Sequence, residues 1–250
     1  MSETPTLTLL DYAEAIQSCA VEVISRLSPP LIPPGRPRVA LYLTIAEQFD
    51  AAIRLGRCGA GTHSAVHVRS MVEALVSMNL LATDPRHVDR MRFEKVRGEK
   101  RLYESLLSNT DLPNGQRQNL EARLMTCKAE YDALFAKGQR PRPISGDFGT
   151  TGLSQFAAPY TVLCGFSHND LAVIALRHQG DHGMTYRAEV PQEVMHSIFS
   201  IGMAVMIAAT GPLPDIAMFP EGHFEDLYAE MIAIWETYLK SWPGATHASP

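Results

Sequence analysis

The stretch THSAVHVRSMVEAL, Thr62 to Leu75, carries two pairs of residues whose types and spacing could support chemistry. His63 and His67 stand four apart, the spacing at which two imidazoles on one helix face can share a metal ion. Zinc-hydrolase helices of that kind place a glutamate directly after the first histidine. Here that residue is Ser64, and no third ligand stands nearby in the sequence. Two exposed histidines near a helix start are the expectation, with a metal-dependent hydrolase as one functional alternative. Arg69 and Glu73 form the second pair. On a helix advancing about 100° per residue they stack one turn apart, flanking an apolar stripe of Ala65, Val68, Val72, Leu75 and Val76 that also includes Asn79. His67 lies about 160° round the helix from Arg69, so the two pairs face different neighbours. A solvated i, i+4 ion pair contributes only tenths of a kcal/mol. Beside an apolar stripe the pair is expected to be partly desolvated, so each charge needs partners. It reads either as a polar network fixing helix register or as the polar floor of a cleft.

A second constellation lies further along. GFSHND, Gly165 to Asp170, holds a serine, a histidine and an aspartate. Adjacent residues on one backbone seldom adopt triad geometry, whose members come from separate segments. His168 is instead expected as a single buried or cleft histidine, held by a carboxylate such as Glu73. RHQGDH, Arg177 to His182, resembles the arginine–polar–gap–histidine ribonuclease motif of HEPN helical domains. That resemblance implies an arginine, Arg177, stabilising phosphate charge and a histidine, His182, handling protons. Loose arginine–histidine pairs of this spacing also arise by chance, Arg57 and His63 being another, and Gly180 interrupts any continuous helix there.

These residues must be positioned by helices. Apolar residues recur at three- and four-residue steps from about Leu7 to Leu27 and from Val39 to Leu55, separated by the proline cluster SPPLIPPGRP. Thr62 is the expected N-cap of a third helix reaching about Ala82, and Asp84 and Pro85 are expected to start the next. Arg86 to Lys137 predicts two charged helices forming a protruding hairpin, with Met91, Val96, Leu102, Leu106 and Leu107 as the first helix's apolar members. Residues 137–152 are rich in glycine, proline and hydroxyl side chains and read as an internal loop or linker. An apolar stretch follows, then a short extended excursion over Met184 to Val190, a helix from about Pro191, and a last amphipathic helix from His223 to Trp242. The expected fold class is all-α, a single domain over 1–250 with about seven to eight helices.

Composition bounds the function. Of 250 residues, 46% are apolar and 20% charged, ordinary globular values. The net charge of −5 argues against a general polyanion binder, while leaving room for a local basic site. The start has no basic segment leading into an apolar one, so no secretory signal is expected. The most apolar run, Ile198 to Ala209, is too short to cross a bilayer and reads as a core helix. Cys19, Cys58, Cys127 and Cys164 are scattered, which fits reduced thiols in a cytoplasmic protein. None of these patterns calls for a cofactor.

VRSMVEALVSMNLLATDP, the charged RFEKVRGEKRL and the later YTVLCGFSHND together resemble an uncharacterised bacterial all-helical family of unknown function, distantly HEPN-like. The resemblance spans about Ala51 to Asp170. It implies an α-helical fold with Arg69, Glu73, Tyr160 and His168 near its centre, and supplies no reaction. The chain departs from an active HEPN pattern, since no arginine stands four to six residues before His168. The first functional expectation is an interaction or regulatory module that meets a protein partner or a second copy of itself, with no membrane role. The rival is a HEPN-like ribonuclease acting on RNA.

Overall fold

The computed structural model describes residues 7–30, 32–168, 170–180, 183–186 and 188–242. Among the described residues the chain forms nine α-helices: α1 (Leu9–Arg26), α2 (Gly35–Arg57), α3 (Gly61–Thr83), α4 (His87–Leu107), α5 (Asn114–Ala136), α6 (Ala157–Ser167), α7 (Leu171–His178), α8 (Gln192–Thr210) and α9 (His223–Ser241). Strand is confined to β1 (Gln179–Gly180) and β2 (Gly183–Met184), an antiparallel two-residue pair. The all-α class holds. The helix count exceeds the expected seven to eight partly because one apolar stretch divides into α6 and α7. His168 ends α6, and the Asp170 carboxylate caps α7 by accepting from the Ala172 amide at 2.9 Å.

The chain divides into two compact units, one formed by 1–79 and 147–250, the other by 80–146; of the two boundaries, 146/147 falls within 137–152 and 79/80 falls within α3. In the first unit α1 packs on α2, α8 and α9. Ile16, Phe49, Phe199, Met203 and Met206 are fully buried there, as are Ala65, Val68, Val72, Leu75 and Val76 of the α3 stripe. Close approach is possible because residue 202 is glycine. A Cβ there would lie 3.0 Å from the Phe49 ring and 3.4 Å from Val68. The apolar run expected as a core helix lies within α8. The helical stretch Gln192–Asp215 has the length and composition of a membrane span, longer than the run alone suggested, and half of it is buried inside the fold.

The second unit is built on α4 and α5, which lie along each other. Phe93, Val96 and Leu134 make its core, Tyr131 stacks on Phe93 at 5.1 Å, and Cys127 Sγ donates to the Val96 carbonyl at 3.3 Å. Arg92 Nη2 meets Glu130 Oε1 at 2.7 Å. Two expected apolar members, Leu102 and Leu106, are exposed; Phe93 takes the core place instead.

Local starts also differ from expectation. Helix α3 begins at Gly61, so Thr62 lies inside its first turn. Helix α4 begins at His87, and Asp84 accepts from the Arg86 amide and side chain ahead of it.

Candidate functional site: the Arg69 cluster

Helix α3 projects Arg69 and Glu73 from the flank of its buried stripe, and α6 brings Tyr160 and His168 against them. Arg69 Nε donates to Glu73 Oε1 at 3.0 Å, and the Tyr160 hydroxyl donates to the same oxygen at 2.9 Å. Arg69 Nη1 donates to His168 Nε2 at 3.4 Å, while the guanidinium carbon stands 5.6 Å from the Tyr160 ring centroid. Phe148 packs on the other side of Tyr160, ring centroids 5.4 Å apart. Three side chains, Glu73 from α3, Tyr160 from α6 and His168 at its C-terminal cap, therefore meet around one guanidinium.

The cluster grades from interior to surface. Tyr160 is 9% exposed, the Arg69 and Glu73 side chains are 24% and 39% exposed, and His168 is exposed. Burial penalises the Arg69 charge, but Tyr160 and Glu73 outweigh it and hold the guanidinium above its ordinary value. Burial, and then the Glu73 carboxylate, hold the Tyr160 phenol well above the usual phenol range, so it stays a neutral donor. A permanently charged guanidinium thus carries a histidine on its solvent side. The expectation that a carboxylate holds His168 is corrected: Arg69 stands between it and Glu73, because Glu73 is occupied by Arg69 Nε and the Tyr160 hydroxyl.

The remaining candidates are placed elsewhere. Ser167 Oγ donates to the Leu163 carbonyl at 3.1 Å and Asp170 caps α7, so these two make local bonds while His168 turns to Arg69, and the three residues of GFSHND do not form a triad. Arg177 on α7 is 9% exposed. Its Nε donates to Thr62 Oγ1 at 3.1 Å, and its Nη2 donates to the Thr62 and Phe166 carbonyls at 3.2 and 3.3 Å. Burial lowers its affinity for the proton. It fastens α7 to the start of α3 and the end of α6. His182 lies outside the described residues. His63 is exposed, and the half-buried His67 donates from Nδ1 to Gln48 Oε1 at 2.7 Å. Among the described residues no group of three histidine, cysteine or acidic side chains is gathered that could hold a metal.

Cys164, one turn after Tyr160 on the same face of α6, was not singled out from the sequence. The spacing was visible in YTVLCGFSH; a thiol among apolar residues gave no reason to single it out.

The profile of a family of unknown function, DUF5677, matches residues 38–184. The chain belongs to DUF5677. The matched DUF5677 region begins in α2, ends at β2, and contains every member of the Arg69 cluster together with Arg177. No curated protein and no solved structure matches the chain.

Proposed function

We propose that the chain is a cytoplasmic RNA-acting module, HEPN-like in its chemistry, whose working pair is Arg69 and His168. The observation that carries this reading is the 3.4 Å contact between a half-buried arginine and an exposed histidine. Such a contact contributes little to folding. It occupies the lone pair of His168 Nε2, the same lone pair with which the ring can take a proton from a bound group. An anion with an acidifiable hydroxyl beside it can use both side chains, and a phosphodiester is an anion for which both groups have work.

Substrate class follows from what one histidine and one arginine can accomplish. RNA carries its own nucleophile, the 2′-hydroxyl, next to each phosphate. His168 takes the proton from that hydroxyl, the 2′-oxygen attacks phosphorus, and the 5′-oxygen leaves and collects a proton from solvent. The products are a 2′,3′-cyclic phosphate and a free 5′-hydroxyl. Arg69 offsets the extra charge on the phosphoryl oxygens as the bond forms. Glu73 and Tyr160 are positioning residues: Glu73 fixes Arg69 Nε, and Tyr160 fixes Glu73.

The test is incubation of purified protein with end-labelled single-stranded RNA in the presence of a chelator. Cleavage leaving cyclic phosphate ends is expected, lost in His168→Ala and Arg69→Ala with helical circular dichroism retained. Intact RNA across pH and salt, or cleavage surviving in His168→Ala, overturns the proposal. A second reading, an interaction module, is favoured by one observation in the unit 80–146: Leu102, Leu106 and Met125 are exposed on otherwise charged helices. It predicts a partner or self-association lost on charging those three positions, whatever the outcome with RNA.

A further inference from the structure

We propose that one face of the α4–α5 hairpin binds the backbone of single-stranded RNA. Charge is divided unequally between the two units. Residues 80–146 carry thirteen Lys and Arg against nine Asp and Glu, a balance of +4. The remaining residues carry nine against eighteen, a balance of −9, and the two together give the net −5. The unit that holds the Arg69 cluster is therefore acidic, and long-range attraction for a polyanion comes from the hairpin. The choice of RNA over another polyanion rests on the function proposed for Arg69 and His168.

Helix geometry gathers the cations. Arg92 meets Glu130, Cys127 meets Val96 and Arg117 meets Leu107, so α4 and α5 run antiparallel along their length. On α4, Arg90, Arg97 and Arg101 fall within about 40° of one another, and on α5 Arg117, Lys128 and Phe135 fall within about 20°. Each row lies about a quarter turn past its helix's buried residues in the same rotational sense, Phe93 and Val96 on α4, Cys127 and Leu134 on α5. In an antiparallel pair equal rotations lead to the same side, so the two rows share one face. The Arg92–Glu130 pair bridges the opposite face.

Charges on this face are held in place without being neutralised. Arg117 donates to the Leu107 and Asn109 carbonyls at 3.3 and 2.8 Å, and Arg140 donates to the Phe135 and Gln139 carbonyls, each at 2.7 Å. Arg101 and Lys128 are exposed and make no ion pair among the described residues. Arg97 is tied to the Glu94 carboxylate at 2.8 Å. The face also supplies a stacking plane. Phe93, Tyr131 and Phe135 stack in a row, with centroids 5.1 and 5.9 Å apart. Phe135 is 41% exposed, and the Arg140 guanidinium carbon lies 3.5 Å from its ring centroid. A guanidinium laid on a ring offers its outer plane to a base while its charge meets the adjoining phosphate. Bases paired inside a duplex cannot reach that plane, so the face suits a single strand.

The experiment measures the fluorescence anisotropy of an end-labelled single-stranded RNA with the full chain carrying His168→Ala, so that the strand stays whole. Binding is expected, weakening as salt rises. Arg101→Glu with Lys128→Glu is expected to lower affinity at least about tenfold, and Phe135→Ala at least about threefold, with helical circular dichroism retained. Arg26→Glu with Arg54→Glu makes the same change in net charge at exposed positions of the other unit, and is expected to leave affinity within about twofold. No binding, equal losses in the two double variants, or indifference to Phe135→Ala overturns the proposal. Binding by a chain that never cuts RNA removes the Arg69–His168 chemistry and leaves this face standing. Cleavage indifferent to Arg101→Glu with Lys128→Glu does the reverse.

Discussion

Arg69 and Arg177 sit in the same unit and are fastened in opposite ways. Arg177 is buried and spends its donors on Thr62 and Phe166, two of the three acceptors being backbone carbonyls that no substitution can remove. Arg69 is half-buried and bonds only side chains, one of them an exposed histidine. The Phe166 carbonyl lies in the last turn of α6, where carbonyls lack an intrahelical donor, so Arg177 is accounted for by structure. The Arg69 partners are not forced by the backbone. A half-open guanidinium ringed by a carboxylate, a phenol and an imidazole is an arrangement that a ligand can enter.

The contrast can be broken by measuring stability at each site. The largest effect is expected for Arg177→Ala, which leaves the Thr62 and Phe166 acceptors without their donor inside the fold. The expected cost is about 3 kcal/mol, or ~6–12 °C in Tm, read by thermal circular dichroism. A change below about 2 °C, the size of a surface-substitution effect, would remove the structural assignment of Arg177.

Glu73→Ala comes next, at about 1 kcal/mol. The pair is i, i+4 and Glu73 is 39% exposed, so water screens much of the loss and solvates the released Arg69. A cost matching Arg177→Ala would show that the Arg69 cluster is a sealed structural network and would erase the comparison.

Alkaline pH gives a smaller and more specific signal. Tyr160 keeps its proton in the folded chain well above the ordinary phenol value of 10.0, through burial and then through Glu73. Its contribution is therefore complete below pH 10 and is lost as pH rises from there towards the raised value. Tyr42 and Tyr238 are raised in the same direction by burial, so the whole chain weakens in alkali. Tyr160→Phe should flatten that decline by at most one proton, about 1.4 kcal/mol per pH unit, in urea titrations above pH 10. An unchanged slope would place Tyr160 outside the coupled cluster.

His168→Ala should have the smallest effect on stability, within about 0.5 kcal/mol, while reducing RNA cleavage by at least ~10²-fold. Stability loss without loss of cleavage would reverse the roles given to the two arginines.

How much of this was legible in the sequence depends on the range of the contact involved. The α3 stripe could be read directly, because a 3.6-residue period places Ala65, Val68, Val72 and Leu75 on one face wherever the helix packs. The separation of His67 from Arg69 followed from the same geometry. Tyr160 reached Arg69 in the sequence reading only through a family resemblance, and His168 was expected on Glu73 rather than on Arg69, since no spacing rule spans the 99 positions between Arg69 and His168. Thr62 was read as a helix cap and Arg177 as a phosphate binder. The two bond each other, a contact neither reading anticipated because the partners lie 115 positions apart. Leu102 and Leu106 were read as apolar members of the first charged helix and are exposed, because spacing gives a face but does not supply anything to cover it.

The sequence by itself determined the helical class, the proline and glycine breaks and the faces of each helix. These depend on backbone sterics and on periodicity, which act over a few residues. Only the tertiary structure decided which arginine is a fastener and which stands at a half-open site. Partners and solvent exposure are set by which faces meet, and side chains distant in the chain carry no local mark of the neighbours they will acquire.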